Sequence, residues 1–304
     1  MSKRISDPGL GEKYYQNKSR MVNKDGSFNS ERTGMHVHLY HYLVTVSGFK
    51  ISLIITTAYI ILNLMFAAIY VMAGVEHLGG NYVGDGYLKA FLFSMQAFTT
   101  VGFGAIYPDD AISGLVSGME AMVGLLFFAF ATGIVYGRFS KPSTFIKFSE
   151  NAVIAPYKET GKAFMFRIVN AQPNTLIEMN ARVILAIKTE DGENIYRRYF
   201  NLDLETANVV FFPMPWTIVH PITEESPLHG LTENDLKNND AEFLIHIKGF
   251  DETYSQITNT IYSYTEDEII WGAKFKRNFS LTQDGRVSYD INKIGETEPA
   301  LILG

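Results

Sequence analysis

The segment Phe98-Thr99-Thr100-Val101-Gly102-Phe103-Gly104 lies between two long apolar runs and is punctuated by two glycines. Glycine allows backbone conformations that residues with a Cβ disfavour, so glycines at alternate positions let successive carbonyls turn toward one axis. The carbonyls of residues 100–103, with the Thr100 hydroxyl below them, would form a ladder of oxygens that replaces the water around a dehydrated cation. Because one chain supplies only one side of such a ladder, the segment predicts a pore loop that four copies build together.

Two apolar runs flank this loop, and each is long enough to cross a bilayer. Residues 51–73 contain no charged residue and would span ~30 Å as a helix with a rise of ~1.5 Å per residue. Residues 111–136 form the second run, which contains one acidic residue. Residues 87–98 are apolar but too short to span, so they predict a re-entrant pore helix that leads into the loop.

Two residues of the second run carry functional predictions. Glu120 is a carboxyl group at membrane depth, which is costly and therefore expected to face the pore or the protein interior. Two interpretations stay open, a functional group on the pore and a protonated or hydrogen-bonded residue that supports the loop from behind. Gly124 lies near the middle of the run, where the missing Cβ eases bending and close helix approach, and it predicts a gating hinge.

Composition argues against several classes of protein. The formal net charge of -6 and the pI near 5.7 do not suit a general nucleic-acid binder. The chain has no cysteine, so it offers no disulfide framework and no thiolate ligand or nucleophile. No glycine-rich phosphate loop opens a helix after a strand, and Glu120, His220 and His36 form no recognisable catalytic set. We therefore expect no enzyme activity, no metal other than a permeant ion, no nucleotide or redox cofactor and no nucleic-acid partner.

Basic residues indicate the orientation of the chain in the membrane. Seven of them flank the two apolar runs, at Arg20, Lys24, Arg32, Lys50, Arg138, Lys141 and Lys147. The segment between the runs contains only Lys89. Because cytoplasmic loops are enriched in lysine and arginine, both ends of the chain are predicted to be cytosolic.

The remainder of the chain has the pattern of β-structure. From Ser149 onward the apolar residues recur with period two, and residues 177–187 alternate before a turn at Asp191 and Gly192. Further strand-like runs are residues 162–169, 194–202, 216–220, 242–250, 268–276 and 286–291. One short helix is predicted near residues 232–237. Many short strands with little helix indicate an immunoglobulin-like β-sandwich, so the fold class is an α-helical two-transmembrane pore domain followed by a cytosolic all-β domain.

Several motifs resemble the inward rectifier potassium channel family, and its prokaryotic branch in particular. Thr100 to Gly104 matches the T-V-G-Y-G signature of potassium channels except at one aromatic position. The β-domain resembles the family at Phe148–Ile154, Arg167–Asn170, Trp216–Ile222 followed by Ser226-Pro227-Leu228, and Glu268–Gly272. The resemblance extends from about residue 35 to residue 275.

The resemblance implies a passive K⁺ channel that is gated by its cytosolic domain and by anionic lipids. It implies a homotetramer in a bacterial cytoplasmic membrane, with K⁺ ions in the filter, Rb⁺ as a second permeant ion and Ba²⁺ as a blocker. The expected divisions are a flexible cytosolic tail (1–33), a pore domain (34–140) and a cytosolic β-sandwich (141–304). Within the pore domain we expect an interfacial helix (34–47), an outer transmembrane helix (49–73), a pore helix (87–98), the filter (99–104) and an inner transmembrane helix (111–138).

The resemblance also assigns roles to five residues outside the filter. Tyr136 stands where the family places an aromatic constriction at the helix-bundle crossing. Arg138 and Lys141 match basic positions that bind anionic lipid headgroups. Glu178 and Glu252 match acidic positions of a cytosolic vestibule, and residues 253–263 resemble an apical loop that forms a second constriction.

Departures from the family pattern leave alternatives open. Phe128 occupies the position of the acid that binds blocking cations in strongly rectifying members, so weak rectification is expected. Phe103 replaces tyrosine and cannot donate the hydroxyl hydrogen bond that braces the filter, so a weakly selective monovalent cation channel is the first alternative. A membrane-anchored β-sandwich binding module is the second, although such a module would normally lie outside the cell.

Overall fold

A computed structural model describes residues 4–5, 7–11, 20–31, 33–34, 38–80, 82, 84–140, 145–158, 161–191 and 194–302. The chain divides into two compact units. The first, the pore unit, is Gly34–Lys141, and the second, the β-unit, combines Met1–Thr33 with Pro142–Gly304.

The helices of the described residues are α1 (Leu39–Thr45), α2 (Gly48–Ala73), α3 (Gly86–Phe98), α4 (Ala111–Phe139) and α5 (Glu233–Asn238). The strands are β1 (Arg4–Ile5), β2 (Leu78–Gly79), β3 (Tyr107–Pro108), β4 (Ile146–Phe148), β5 (Ala152–Tyr157), β6 (Gly161–Asn170), β7 (Leu176–Asp191), β8 (Asn194–Leu202), β9 (Asn208–Phe211), β10 (Trp216–Ile222), β11 (Glu242–Asp251), β12 (Gln256–Thr265), β13 (Ile269–Trp271), β14 (Ala273–Phe275), β15 (Phe279–Leu281), β16 (Val287–Tyr289) and β17 (Thr297–Pro299). Short 3₁₀ helices cover Val75–His77, Glu266–Glu268 and Ile291–Lys293.

Two helices of the pore unit, α2 and α4, are long and apolar enough to cross a membrane. The first turn of α4 is closed by Asp110, whose carboxylate accepts the Ser113 N–H at 2.8 Å. The first turn of α3 is closed by Asp85, which accepts the Tyr87 N–H at 2.8 Å. Both transmembrane helices and the pore helix begin and end within one residue of the predicted bounds.

The core of the pore unit lies where α2 packs on α3. Buried aromatic and small residues alternate there, so that the two helices approach closely over Phe66, Ala67, Ala90 and Phe93. The two-stranded ladder of β2 and β3 covers one end of this core through Leu78. Packing of α3 on α2 thus fixes the position of the pore helix within the unit.

The β-unit contains two packed sheets, which confirms the predicted sandwich. The first sheet has the order β1-β8-β7-β11-β12, with β9 beside β7, and the second has the order β10-β6-β5-β13, with β4 beside β6. Their inner faces meet in an aromatic core, where the rings of Phe164 on β6 and Phe243 on β11 stack 4.2 Å apart.

The N-terminal segment packs on the β-unit where the structure describes it. Met21 and Val22 are almost fully buried, and their backbone N–H groups donate to the Glu242 carboxylate of β11. Arg20 and Lys24 both form ion pairs with Glu268. Within the flexible tail expected over residues 1–33, this packing corrects the prediction for residues 20–31, because an apolar pair and a buried carboxylate hold them to the sheet.

Two further differences concern element bounds. The interfacial helix is described only as α1, and residues 35–37 of the predicted helix, with His36, lie outside the described residues, as does Gly192. The expected apical loop over residues 253–263 is wrong, because β12 begins at Gln256 and pairs with β11 from residue 256 to residue 265. Only a tight turn at residues 252–255 joins the two strands.

Candidate functional site

The filter backbone alternates between two conformations. Thr100, Gly102 and Gly104 have positive φ values of 58°, 51° and 79°, and Val101 and Phe103 between them do not. Alternation of left-handed and ordinary backbone lets successive carbonyls face the same side, which a cation site of backbone oxygens requires. A left-handed conformation at a β-branched residue is costly, so Thr100 is held there by its surroundings.

Those surroundings are the last turn of α3. The Val101 N–H donates to the Gln96 carbonyl at 3.0 Å, and the Thr100 N–H donates to the Ala97 carbonyl at 3.0 Å. The Thr99 hydroxyl donates to the Met95 carbonyl at 2.7 Å. The filter therefore continues directly from the C-terminal end of the pore helix, whose partial negative charge favours a cation beyond it.

An aromatic cluster supports this end of the pore helix. The Phe98 ring is fully buried, and its centroid lies 5.5 Å from those of Tyr59 and Phe127 and 6.1 Å from that of Phe128. Gly124 of α4 faces the Phe98 carbonyl so closely that a Cβ at this position would overlap the carbonyl oxygen. The structure thus gives Gly124 a close-approach contact, and its role as a hinge stays a prediction.

Glu120 of α4 is fully buried where α4 meets α2 and α3. The Tyr70 hydroxyl of α2 donates to its Oε2 at 2.7 Å, and the Ser94 hydroxyl of α3 contacts its Oε1. Glu120 therefore connects the outer, inner and pore helices within one chain. Tyr70, Ser94 and the neighbouring Asn63 were not singled out from the sequence, although an amide or a hydroxyl inside an apolar run is the signal that could have identified them.

At the end of α4, the side chain of Tyr136 is exposed and that of Arg138 is hydrogen-bonded. The Tyr136 side chain is 72% exposed in the single chain. The Arg138 guanidinium donates to the carbonyl of Val46, the residue that follows α1. Lys141 lies outside the described residues.

The two acidic residues that are predicted to line a vestibule lie at the same end of the first sheet. Glu178 is exposed and has a φ of 50° beside a β-bulge between β7 and β11. Glu252 is exposed in the turn after β11, and its N–H donates to the Thr175 carbonyl just before β7 at 3.2 Å. The strand register therefore places at one end of the sheet two acidic residues that are 74 positions apart in the sequence.

His220 is a hydrogen-bonded residue of the β-unit. Its Nδ1 lies 2.7 Å from the Asp203 carbonyl oxygen and its Nε2 lies 2.8 Å from Ser226 Oγ. Burial lowers the pKa of His220 below its usual value, so the ring stays neutral and can bond both partners. Within the part of the chain that the structure describes, no three histidine, aspartate or glutamate side chains are grouped to hold a metal ion.

Comparison with known proteins gives matches in both units. A family model described as the inward rectifier potassium channel C-terminal domain matches residues 146–301, and one described as an ion channel matches residues 55–141. The chain is 32% identical to the inward rectifier potassium channel Kirbac3.1 of Paramagnetospirillum magnetotacticum over 92% of this chain and 96% of that protein.

Vertebrate proteins match at lower identity. The ATP-sensitive inward rectifier potassium channel 12 of Gallus gallus is 27% identical over 85% of this chain and 67% of that protein. The inward rectifier potassium channel 18 of Homo sapiens is 26% identical over 85% of this chain and 66% of that protein.

Proposed function

This chain belongs to the inward rectifier potassium channel family, and from that premise we propose that four copies assemble around one axis and conduct K⁺ passively through residues 100–104. Membership makes the chain a potassium channel subunit and not an enzyme. The observation that carries the proposed path is the alternating backbone at Thr100, Gly102 and Gly104. Four-fold assembly is supported by the open space beside Gly102 and Gly104 and by Phe103, which is 79% exposed in the single chain.

The protein is embedded in a membrane through α2 and α4. We propose that this membrane is a bacterial cytoplasmic membrane and that both ends of the chain lie in the cytosol. The distribution of basic residues supports this orientation, since Lys89 is the only lysine or arginine in the sequence between the two spans.

We propose that K⁺ ions occupy the filter and that rectification is weak. The carbonyl ladder needs no other cofactor. Phe128 supports weak rectification because its apolar ring packs against Phe98 at the position where strongly rectifying members carry an acid. The missing hydroxyl of Phe103 favours the second candidate, a weakly selective cation channel of the same architecture.

Two cytosolic-side features regulate the pore in this proposal. Tyr136 forms the gate, because four exposed aromatic rings at the end of α4 can close a pore by sterics and dewetting. Bending at Gly124 would move these rings. Glu178 and Glu252 concentrate cations in the vestibule, which their common position at one end of the sheet supports.

Ion flux into liposomes tests the proposed conduction. Purified protein in vesicles is expected to take up Rb⁺ and K⁺ and to be blocked by Ba²⁺, with Na⁺ uptake much smaller. Uptake equal to that of protein-free vesicles would remove the channel proposal. Equal Na⁺ and K⁺ uptake would instead support the weakly selective candidate.

Neutralising the two basic residues after the inner helix tests the proposed lipid site. Each positive charge near an anionic leaflet contributes about 1 kcal/mol to the free energy of lipid binding. Removing two charges with Arg138→Gln and Lys141→Gln should therefore weaken binding of anionic lipid up to ~30-fold and raise the lipid fraction needed for a half-maximal response. The measurement is Rb⁺ flux across a series of vesicles with increasing anionic lipid.

Two controls separate charge from packing in that experiment. Lys237→Gln with Lys274→Gln removes the same charge from the exposed surface of the β-unit and should leave the lipid response unchanged. Arg138→Lys retains the charge while altering the contact with the Val46 carbonyl. A double neutralisation that behaves like the surface control would contradict the lipid site.

A further inference from the structure

Four buried polar side chains meet between α2, α3 and α4. They are Asn63 and Tyr70 of α2, Ser94 of α3 and Glu120 of α4, and none is more than 1% exposed. Beyond the contacts of Glu120 with Tyr70 and Ser94, the Ser94 Oγ lies 3.1 Å from the Asn63 carbonyl oxygen and 3.1 Å from Asn63 Oδ1. Ser94 is therefore the centre of the group.

The orientation of the Asn63 amide is fixed by a different contact. Its Nδ2 donates to the Tyr59 carbonyl at 2.8 Å. Turning the amide by half a rotation would place Oδ1 against that carbonyl, and two acceptors would then face each other. Asn63 Oδ1 therefore faces Ser94 and needs a donor.

The number of protons in this group decides the charge of Glu120. The single hydroxyl proton of Ser94 faces the Asn63 oxygens and Glu120 Oε1. If Glu120 were ionised, Ser94 could satisfy either Asn63 Oδ1 or the carboxylate, and the other would stay buried without that donor. Among the described residues no lysine, arginine or histidine forms an ion pair with Glu120, so the ionised form would also be an unbalanced charge at membrane depth.

We propose that Glu120 is a protonated carboxylic acid that donates from Oε1 to Ser94 Oγ. Ser94 then donates to Asn63 Oδ1, and Tyr70 donates to Glu120 Oε2. Every polar atom of the group has a partner in this order, and the chain of bonds runs from the outer helix through the pore helix to the inner helix.

The consequence for conduction rests on the proposed function. Ser94 lies two residues before Gln96, whose carbonyl accepts the Val101 N–H of the filter. The protonated acid therefore holds the part of α3 that carries the filter, and Glu120 is a positioning residue for ion selectivity. It does not contact the ion.

Infrared spectroscopy of the protein in liposomes tests the protonation state without reference to conduction. At neutral pH the difference spectrum of wild type and Glu120→Gln should contain the carbonyl stretch of a protonated carboxylic acid, which shifts in D₂O. Ser94→Ala should move that band, because the acid loses its acceptor. A difference spectrum that shows a carboxylate band instead would overturn the proposal.

Permeability ratios test the positioning role. Glutamine retains one donor and one acceptor, so Glu120→Gln should keep the K⁺:Na⁺ ratio within about twofold of wild type, whereas Glu120→Leu should lower it about tenfold, or ~1.4 kcal/mol. Ser94→Ala should also lower the K⁺:Na⁺ ratio. Because it is a smaller change, it replaces Glu120→Leu as the test if the leucine variant does not assemble. An equal loss in the glutamine and leucine variants would overturn the role of the donor. Absence of flux in the wild type would remove the proposed conduction and leave the infrared result to decide the protonation state.

Discussion

Gly102→Ala is expected to abolish K⁺-selective flux. Gly102 has a φ of 51°, a left-handed conformation that alanine disfavours. Thr100 and Gly104, two residues away on either side, are left-handed as well. A Cβ would meet nothing within 4 Å in the single chain, so the expected damage comes from backbone strain and from crowding by the other three copies. A loss of about 1–2 kcal/mol in each of four copies would distort the whole ladder. Rb⁺, K⁺ and Na⁺ uptake into liposomes measures the outcome.

Gly114→Ala is the matched control for this substitution. Gly114 lies in the first turns of α4 and has no positive φ, and a Cβ added there would also meet nothing within 4 Å. Alanine is a better helix former than glycine, so this variant should assemble and conduct. A Gly102→Ala channel that retained the wild-type K⁺:Na⁺ ratio would contradict the filter assignment.

The elements of the pore unit could be predicted closely from local sequence. A continuous apolar run defines α2, and Asp85 and Asp110 stand immediately before α3 and α4 as side-chain caps. These signals lie within a few residues of the boundary that they set, so no knowledge of distant contacts is needed. The left-handed backbone of the filter can be predicted for the same reason at Gly102 and Gly104.

Thr100 shows the limit of that local prediction. A β-branched residue disfavours the left-handed conformation, so this conformation cannot be predicted from the identity of Thr100. Hydrogen bonds to the end of α3 impose it. β12 is not predicted either, since its exposed face carries polar residues and the resemblance favours a loop there. Its pairing with β11 over ten residues is a tertiary contact that overrides local preference.

The packing of the N-terminal segment shows the same limit over a longer distance. The polar residues around Met21 and Val22 predict disorder when the segment is considered alone. The partner that orders it, Glu242, lies 221 residues from Met21. Neither residue is unusual in its local sequence, so only the folded structure relates them.

Glu242→Ala is expected to destabilise the β-unit and release the N-terminal segment. The Glu242 carboxylate is 1% exposed, lies 3.4 Å from the Arg197 guanidinium and accepts the Met21 N–H at 2.8 Å. Removing one partner of a buried ion pair typically costs about 3–5 kcal/mol, which corresponds to a fall of roughly 10 °C in melting temperature for a unit of this size. Circular dichroism of the full chain in detergent measures the shift.

Limited proteolysis distinguishes release of the segment from a general loss of stability. Trypsin should cut after Arg20 and Lys24 faster in Glu242→Ala at temperatures where the β-sheet signal is still intact, because the backbone of Met21 and Val22 loses its acceptor. Glu233→Ala removes an exposed carboxylate paired with Lys237, so it should change stability by less than about 0.5 kcal/mol and leave cleavage unchanged. If Glu242→Ala melted and was cleaved like this surface variant, the buried carboxylate would not be what holds the segment, and the apolar contacts of Met21 and Val22 together with the ion pairs of Arg20 and Lys24 to Glu268 would hold it.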